Sequence, residues 1–323
     1  MQLVAMQDDQ LETWMLGQDW RADLRPFVCV DLDHWPDDLA IDPLPPVPLI
    51  GIGRADHPQS RRVDLIVEPP ISLPALARAI RAAPQASAIV TQLLRSIDGM
   101  PFDGALTFES LAFAALQAGA EHQTWRASQR DAKRQAEAPG RIQLDRRGET
   151  LAILLDRPQS LNAIDRPMRD GLFEAFSVAA MDGSIERVTL RGAGRCFSLG
   201  ADLHEFGTTS DATEAHAIRM RTLPARALVR RPGIMDVHVQ GGCVGSGLEL
   251  AAYARRLTAK SDAWFQLPET GMGILPGAGG CVSLSRRIGR QRAAALILSG
   301  RRITARTALT WGLIDAITDN PDD

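Results

Sequence analysis

Two glutamates stand in surroundings that suit proton-transfer chemistry. Glu249 follows a run of glycine and serine in "CVGSGLELAA", residues 243–252, and Glu269 follows a proline in "FQLPETGMG". A helix that begins near Ser246 would place Glu249 on its first turn, beside backbone N–H groups that have no partner within the helix. Those groups and the helix dipole favour a developing negative charge. A carboxylate beside such a terminus is the arrangement that enolate chemistry requires.

Glycines and a tight turn complete the predicted site. Gly245 and Gly247 let the backbone approach a ligand closely. A turn at Gly200 in "FSLGADLHEF" would present the amide of Ala201 as a second donor for an oxyanion, and we expect Asp202 to brace this turn. Two glutamates at one pocket would take different protonation states, because each disfavours ionisation of the other.

The elements that must position these groups alternate between strands and helices. Strands are predicted at 151–156, 187–192, 234–239, 256–259 and 263–266, and helices at 247–255, 290–299 and 304–311. We predict that Asp165 caps a helix whose Met168, Leu172, Phe176 and Ala179 form one apolar face. The "GAGG" stretch at 277–280 is predicted to be a turn that supports Glu269. The pattern indicates an α/β domain.

The N-terminal part has a different texture. Residues 1–62 are irregular and rich in proline and aspartate, with predicted strands at 27–32 and 47–52. Helical periodicity begins near Ser72, a predicted cap, and Thr107 is the predicted cap of a long helix. The charged stretch 130–141 is the predicted linker.

Composition excludes several classes of function. The 323 residues are 45% hydrophobic and 23% charged, with a net charge of −3, which argues against a general nucleic-acid binder. The four cysteines form no CxxC pair and the six histidines no HxxxH pair, so we expect reduced thiols and no metal site. No apolar run suits a membrane span or a signal peptide, so a cytoplasmic location is expected.

The stretch 141–317 resembles the crotonase (enoyl-CoA hydratase/isomerase) superfamily. The matching pieces are "LDRPQSLNAIDRPM", "LRGAGRCFSLGADLHEF", "GGCVGSGLELAAYARRLTAKSDAWFQLPETGMGILPGAGGCVSLSRRIG" and "LILSGRRITARTALTWGLIDAI", in the family's order. The resemblance implies an α/β fold of repeated ββα units, the crotonase (ClpP-like) fold. It also implies an acyl-CoA substrate, no metal or redox cofactor, and a homotrimer or dimer of trimers.

Residue roles follow from the same resemblance. The amides of Ala201 and Ser246 would hold the thioester oxygen, and Glu249 and Glu269 would be the acid–base pair. The predicted substrate-binding residues around them are Gly200, Asp202, Gly245 and Gly247. Retention of both glutamates favours an acyl-CoA hydratase or dehydratase. An isomerase or thioester hydrolase of the same superfamily and a non-catalytic partner subunit, RNA-associated or not, are the alternatives.

The sequence departs from the family pattern in two places. Ser246 stands where the family usually has glycine. The family also continues past the "GLIDAI" strand into helices that cover the pocket, whereas residues 63–128 resemble those helices and lie before the core. Our hypothesis is that this N-terminal extension replaces the C-terminal helices, which divides the chain into 1–62, a helical segment at 63–140 and the core at 141–323.

Overall fold

The computed structural model describes residues 25–38, 41, 44–129 and 138–320. Residues 1–24 of the predicted N-terminal segment and residues 130–137 of the predicted linker lie outside the described residues.

A six-stranded sheet forms the centre of the molecule. The strands of this sheet are β4 (Arg141–Arg147), β5 (Thr150–Asp156), β6 (Arg187–Gly192), β7 (Met235–Val239), β9 (Arg256–Ala259) and β12 (Ala316–Ile317). They lie in the order β12-β9-β7-β6-β5-β4, and neighbouring strands are parallel except for β4, which runs antiparallel to β5 at one edge. All five residues of the central strand β7 are buried, as expected for a parallel strand that is covered on both faces.

Two smaller sheets accompany it. Strand β10 (Trp264–Gln266) lies between β8 (Gly242–Val244), to which it is parallel, and the antiparallel β11 (Ile303–Thr304). Near the N-terminus, β1 (Val28–Asp31), β2 (Leu49–Ile52) and β3 (Leu65–Ile66) form a parallel sheet. Both strands predicted before residue 62 are confirmed, as are the five predicted in the core.

Helices cover the sheets. They are α1 (Leu73–Ala82), α2 (Pro84–Ser96), α3 (Phe102–Gln117), α4 (Ala120–Ser128), α5 (Arg166–Met181), α6 (Ala212–Thr222), α7 (Pro224–Leu228), α8 (Ser246–Ala251), α9 (Gly280–Ile288), α10 (Arg290–Ser299) and α11 (Ala305–Thr310). The predicted face of α5 is buried, and Asp165 caps this helix by accepting the Met168 amide.

Of two predicted caps, Thr107 is wrong and Ser72 is confirmed in position only. Helix α3 begins at Phe102, so Thr107 lies inside it and its hydroxyl bonds to the Asp103 carbonyl of the preceding turn. The long helix predicted after it also ends at Gln117, and α4 begins after Gly119. Ser72 precedes α1, but its side chain makes no capping hydrogen bond.

The N-terminal helices pack directly on the core. Helices α1 and α2 contact α10, while α3 contacts α6 and α9. Fully buried leucines of α1, α2 and α3 belong to the same apolar cluster as the residues of the central sheet; these are Leu76, Leu94 and Leu106. The helical segment and the core therefore share one interior.

Ion pairs attach the N-terminal sheet to the same core helix. Asp64, which is buried beside β3, accepts the amide of Leu49 at 2.8 Å. Its carboxylate pairs with Arg95 of α2 at 2.5 Å and with Arg290 of α10 at 3.0 Å. A buried carboxylate that is paired and hydrogen-bonded on both sides compensates for its loss of hydration.

No helix in the described residues is long and apolar enough to span a bilayer.

Candidate active site

Two glycine turns meet at the floor of a cavity. Gly200 adopts φ +99° and Gly245 φ +48°, both in the left-handed region that favours glycine. A Cβ at Gly200 would lie 3.5 Å from Gly245 Cα, so the two turns are in close contact. Ala201 and Ser246, the residues that follow these turns, both line the cavity.

The amides of Ala201 and Ser246 are available to a ligand. In the ranges that the structure describes, neither amide donates a hydrogen bond to another residue. Both residues are half-buried and line the cavity, and two unpaired backbone N–H groups at one cavity floor indicate a site for an oxygen ligand. These are the two donors that the sequence predicts.

The loop before Ala201 is held rigidly from below. The side chain of Asn162 donates to three carbonyl groups of that loop, those of Ala193, Cys196 and Phe197, at 2.8 to 3.1 Å. The Ser198 hydroxyl donates to the Asn162 carbonyl at 2.8 Å and accepts the Gly200 amide at 3.2 Å. These supporting residues lie inside the motifs of the core, but no local pattern distinguishes them as supports.

Asp202 braces the other side of the turn. Its carboxylate pairs with the buried guanidinium of Arg157 at 2.7 Å and accepts the His204 amide at 2.9 Å. These contacts outweigh the effect of burial and lower the pKa of Asp202. Asp202 lines the cavity as an ionised, fully paired group.

Glu249 lies on α8 with 2% of its surface exposed. Its Oε2 accepts the amide of Ala278 at 2.6 Å and that of Gly280 at 2.9 Å. Burial raises the pKa of Glu249 to about 7, and the two amides moderate that rise by stabilising the charged form. Near neutral pH this carboxyl can therefore both take up and release a proton.

Glu269 begins a short 3₁₀ helix, Glu269–Met272, and is also buried. A Cβ at Gly245 would lie 2.6 Å from its Oε1, so this carboxyl lies directly against the glycine turn that presents the Ser246 amide. Its Oε2 is buried without a hydrogen-bond partner in the described structure. Burial, followed by repulsion from Glu249, raises the pKa of Glu269 well above its ordinary value, so we expect the neutral form.

The "GAGG" turn differs from its predicted role. Its amides at Ala278 and Gly280 bind Glu249 rather than Glu269. The amides of Gly279 and of the next residues after the stretch, Cys281 and Val282, bind a third buried carboxyl group, that of Glu109 on α3. Sequence reasoning missed Glu109, because a glutamate in "FESLAF" has no local mark that separates it from a solvated helix residue.

The cavity has a volume of about 630 Å³, within the range of small-molecule sites. Apolar side chains of the core and of α3 form much of its wall; they are Phe113, Ile164, Leu172, Ile218, Leu223 and Leu250. Arg166, Arg169 and Arg219 also line it. Neither Glu249 nor Glu269 lines the cavity. Glu249 accepts the amide of the lining residue Ala278, and Glu269 lies against Gly245, which precedes the lining residue Ser246.

Of the eight predicted site residues, three line the cavity and the other five lie next to these three. Ala201, Ser246 and Asp202 line the cavity. The glycines form the turns and the close packing below, where a Cβ at Gly247 would lie 2.7 Å from Ser198 Cβ. Among the described residues, no group of three or more His, Cys, Asp or Glu side chains could hold a metal ion.

Comparison with curated proteins shows similarity to acyl-CoA hydratases. The chain is 34% identical over 175 residues to mevalonyl-coenzyme A hydratase of Beauveria bassiana, covering 52% of this chain and 62% of that protein. It is 33% identical over 174 residues to 2,3-dehydroadipyl-CoA hydratase of Escherichia coli, covering 54% of this chain and 68% of the relative. The match thus spans somewhat under two thirds of the first relative and slightly over two thirds of the second.

Solved structures and a family model agree with these matches. A putative enoyl-CoA hydratase/isomerase from Mycobacterium abscessus superposes with a TM-score of 0.51 at 34% identity, covering 55% of this chain and 71% of that one. The fold of the core is therefore the crotonase fold, as predicted. The enoyl-CoA hydratase/isomerase family model matches residues 146–322, more than half of the chain. The chain belongs to the enoyl-CoA hydratase/isomerase family.

Proposed function

We propose that this protein is an acyl-CoA hydratase, a lyase that adds water to an α,β-unsaturated acyl-CoA thioester or removes it in reverse. The observation that carries the proposal is the pair of buried carboxyls, Glu249 and Glu269, directly beneath two unpaired cavity amides. The amides of Ala201 and Ser246 would accept the thioester oxygen and stabilise the enolate that forms when water attacks. The names of the two hydratase relatives support the same reaction type.

The two carboxyls can share the proton transfers. Glu249 accepts both loop amides at Oε2. Its other carboxyl oxygen can therefore take a proton from the attacking water molecule as the water oxygen bonds to the β-carbon of the substrate. Glu269 is held neutral by burial and by Glu249, so it can give its proton to the α-carbon as the enolate collapses. A proton returning from Glu249 to Glu269 restores the starting state.

The substrate supplies its own coenzyme A in this scheme, and the mechanism requires no other cofactor. Arg166, Arg169 and Arg219 on the cavity wall offer positive charge to the phosphates of coenzyme A or to a polar acyl group. We propose a homotrimer or a dimer of trimers as the assembly and the cytoplasm as the location.

The test is hydration of a panel of enoyl-CoA thioesters, followed by loss of the conjugated enoyl absorbance. Wild type is compared with Glu249→Gln and Glu269→Gln, and with Glu174→Gln as a control on the exposed face of α5. We expect each active-site change to lower kcat by about 100-fold or more, because each removes one proton-transfer group, and the control to match wild type.

Other outcomes assign other reactions. Turnover that survives one of the two substitutions, with movement of the double bond instead of loss of conjugation, would favour an isomerase. Release of free coenzyme A would favour a thioester hydrolase. A wild type that binds the thioesters and converts none would contradict the hydratase proposal and favour a partner subunit.

A further inference from the structure

One loop holds two carboxylates with consecutive amides. The amides of Ala278 and Gly280 donate to Glu249 Oε2 at 2.6 and 2.9 Å. The amides of Gly279, Cys281 and Val282 donate to the carboxylate of Glu109 at 2.7, 2.9 and 3.3 Å. Residues 278–282, which we call the amide loop, include the first turn of α9. From 278 to 281 their N–H groups point alternately to Glu249 and to Glu109, and that of Val282 points again to Glu109.

Glu109 reaches this loop from the N-terminal helical segment. It lies in the middle of α3 with 1% of its surface exposed, and it is 170 positions from Gly279. One turn further along α3, the ring of Phe113 packs against Gly277, where a Cβ would lie 2.2 Å from the ring. The same helix therefore anchors the amide loop and lines the cavity beside it.

Charged and titratable groups of several neighbouring elements surround Glu109. Glu249 of α8 repels it, and Arg219 of α6 attracts it. The thiol of Cys281 and the phenol of Tyr253 lie within reach of both carboxylates, and Arg286 of α9 acts on Tyr253. Burial, followed by Glu249, raises the pKa of Glu109, while the three loop amides oppose that rise.

The loop cannot hold Glu249 in place unless it is itself fixed. Its sequence, Ala278-Gly279-Gly280, contains two adjacent glycines, which have the greatest backbone freedom of all residues. Gly279 adopts φ +105°. The bonds to Glu109 fix the amides on either side of Gly280, so the two groups that bind Glu249 are pre-oriented.

We propose that Glu109 is a positioning residue for Glu249, and that the N-terminal helical segment thereby forms part of the active site. Glu109 does not line the cavity and has no contact with substrate in this proposal. It acts by fixing the amide loop. The proposal rests on the proposed function only in that Glu249 is taken as the group that handles the proton of water.

The test compares Glu109→Gln, Glu109→Asp and Glu109→Ala with a matched control, Glu121→Gln. Glu121 also belongs to the N-terminal helical segment and also accepts two backbone amides, of Gln85 and Ala86 at the start of α2, at 2.7 and 3.0 Å. Its side chain accepts none of the amide-loop N–H groups, and it packs instead against Gly273, at the end of the 3₁₀ helix Glu269–Met272. The readouts are kcat and KM on the thioester that wild type hydrates, thermal stability, and hydrogen exchange of peptides covering 277–283.

We expect Glu109→Gln to lower kcat at least tenfold with KM within threefold of wild type, and to speed exchange in the amide loop. Glu109→Asp should retain more kcat than Glu109→Ala, because a carboxyl group that can accept the loop amides remains. Glu121→Gln should speed exchange at the start of α2 and leave kcat within twofold of wild type.

The proposal is overturned if Glu109→Gln keeps kcat within twofold of wild type or leaves exchange of the amide loop unchanged. It is equally overturned if Glu121→Gln, at matched thermal stability, lowers kcat as much. If wild type hydrates no thioester, the proposed function fails, and the exchange measurement still decides whether Glu109 fixes the loop.

Discussion

At the scale of single residues, the site is defined by groups whose surroundings determine their protonation. Glu249 and Glu269 are the same residue type at similar burial, yet Glu249 accepts two amides of a distant turn, whereas Oε2 of Glu269 has no partner in the described structure. Sequence motifs predict both residues, but the difference between them depends on which atoms surround each carboxyl after folding. Glu109 shows the same limit, since its role arises only from contacts with a distant loop.

The pH dependence of hydration should follow Glu249. Its pKa is raised to about 7, and the reaction needs its ionised form to accept a proton. We therefore expect kcat/KM to rise with pH through about 7 and to fall again at higher pH as Glu269 loses its proton. A pH–rate profile on the preferred thioester measures this. Full activity at pH 5 would contradict the assignment of Glu249 as the base.

Ser246→Ala should be tolerated. The Ser246 hydroxyl is buried and makes no hydrogen bond in the described structure, whereas its amide, which alanine retains, is the proposed donor. Removal of an unpaired buried hydroxyl should leave the free energy of unfolding unchanged or raise it by up to about 1 kcal/mol. Urea unfolding and steady-state kinetics check this expectation. A tenfold loss of kcat would instead show that the hydroxyl takes part in the reaction.

At the scale of elements, turns and short helices place the groups that the motifs supply. The spacing of apolar residues predicts helices α5 and α10 well. The boundaries of the predicted core strands differ from the observed ones by one residue at most. Strand β4 was missed because "RIQLDRR" is charged and nearly all exposed, which is possible only at the edge of the sheet. Helices α6 and α7 were missed as well, because the segment 203–233 lacks a clear apolar period.

The Gly245 turn should be intolerant of a side chain. Gly245→Ala would place a Cβ 2.6 Å from Glu269 Oε1, at φ +48°. We expect a loss of about 1–3 kcal/mol in the free energy of unfolding from backbone strain, and at least a tenfold loss of kcat because Glu269 and the Ser246 amide both shift. Gly271→Ala is the control. It lies in the 3₁₀ helix that begins with Glu269, and a Cβ there would meet no atom within 4 Å.

Equal kinetics for Gly245→Ala and Gly271→Ala would show that the turn has no role in placing the site.

At the scale of the whole molecule, the N-terminal helices and the core form one apolar interior around a buried cluster of acids. The resemblance of residues 63–128 to the family's terminal helices predicts helices in this segment, and the structure has α1 to α4 there. The hypothesis that they replace the family's C-terminal helices stays a prediction.

Removal of residues 1–140 tests that hypothesis. The deletion takes away Glu109 and strips α9 and α10 of the helices that cover them. Each large apolar side chain that the deletion exposes lowers the free energy of unfolding by about 1.5–3 kcal/mol. We therefore expect aggregation, or at least a 100-fold loss of hydratase activity. Co-expression of 1–140 with 141–323 as separate chains should restore activity, because the contacts are non-covalent. A stable, active and normally assembled 141–323 fragment would contradict the hypothesis.

The buried acids should also make stability depend on pH. The pKa of Glu249 is about 7 in the folded protein against an ordinary value of 4.5, so the folded state holds this proton more tightly. The free energy of unfolding should fall as pH rises above 4.5, by about 3 kcal/mol from this group once pH exceeds 7. Urea unfolding of wild type and Glu249→Gln at several pH values measures it. If the free energy of unfolding depends on pH in the same way in both proteins, the raised pKa of Glu249 is refuted.

The distance along the chain between Glu109 and the amide loop has a consequence for biosynthesis. On the ribosome, α1 to α4 emerge before the surface on which they pack, and Glu109 gains its amide partners only after residue 282 has been made. The side of α3 that carries Glu109 therefore stays uncovered until Val282, 173 positions further along the chain, has been translated. Contacts of such long sequence separation form slowly, and exposed apolar helices are the surfaces that chaperones bind. We therefore expect the contact between α3 and the amide loop to be among the last to form as the chain folds.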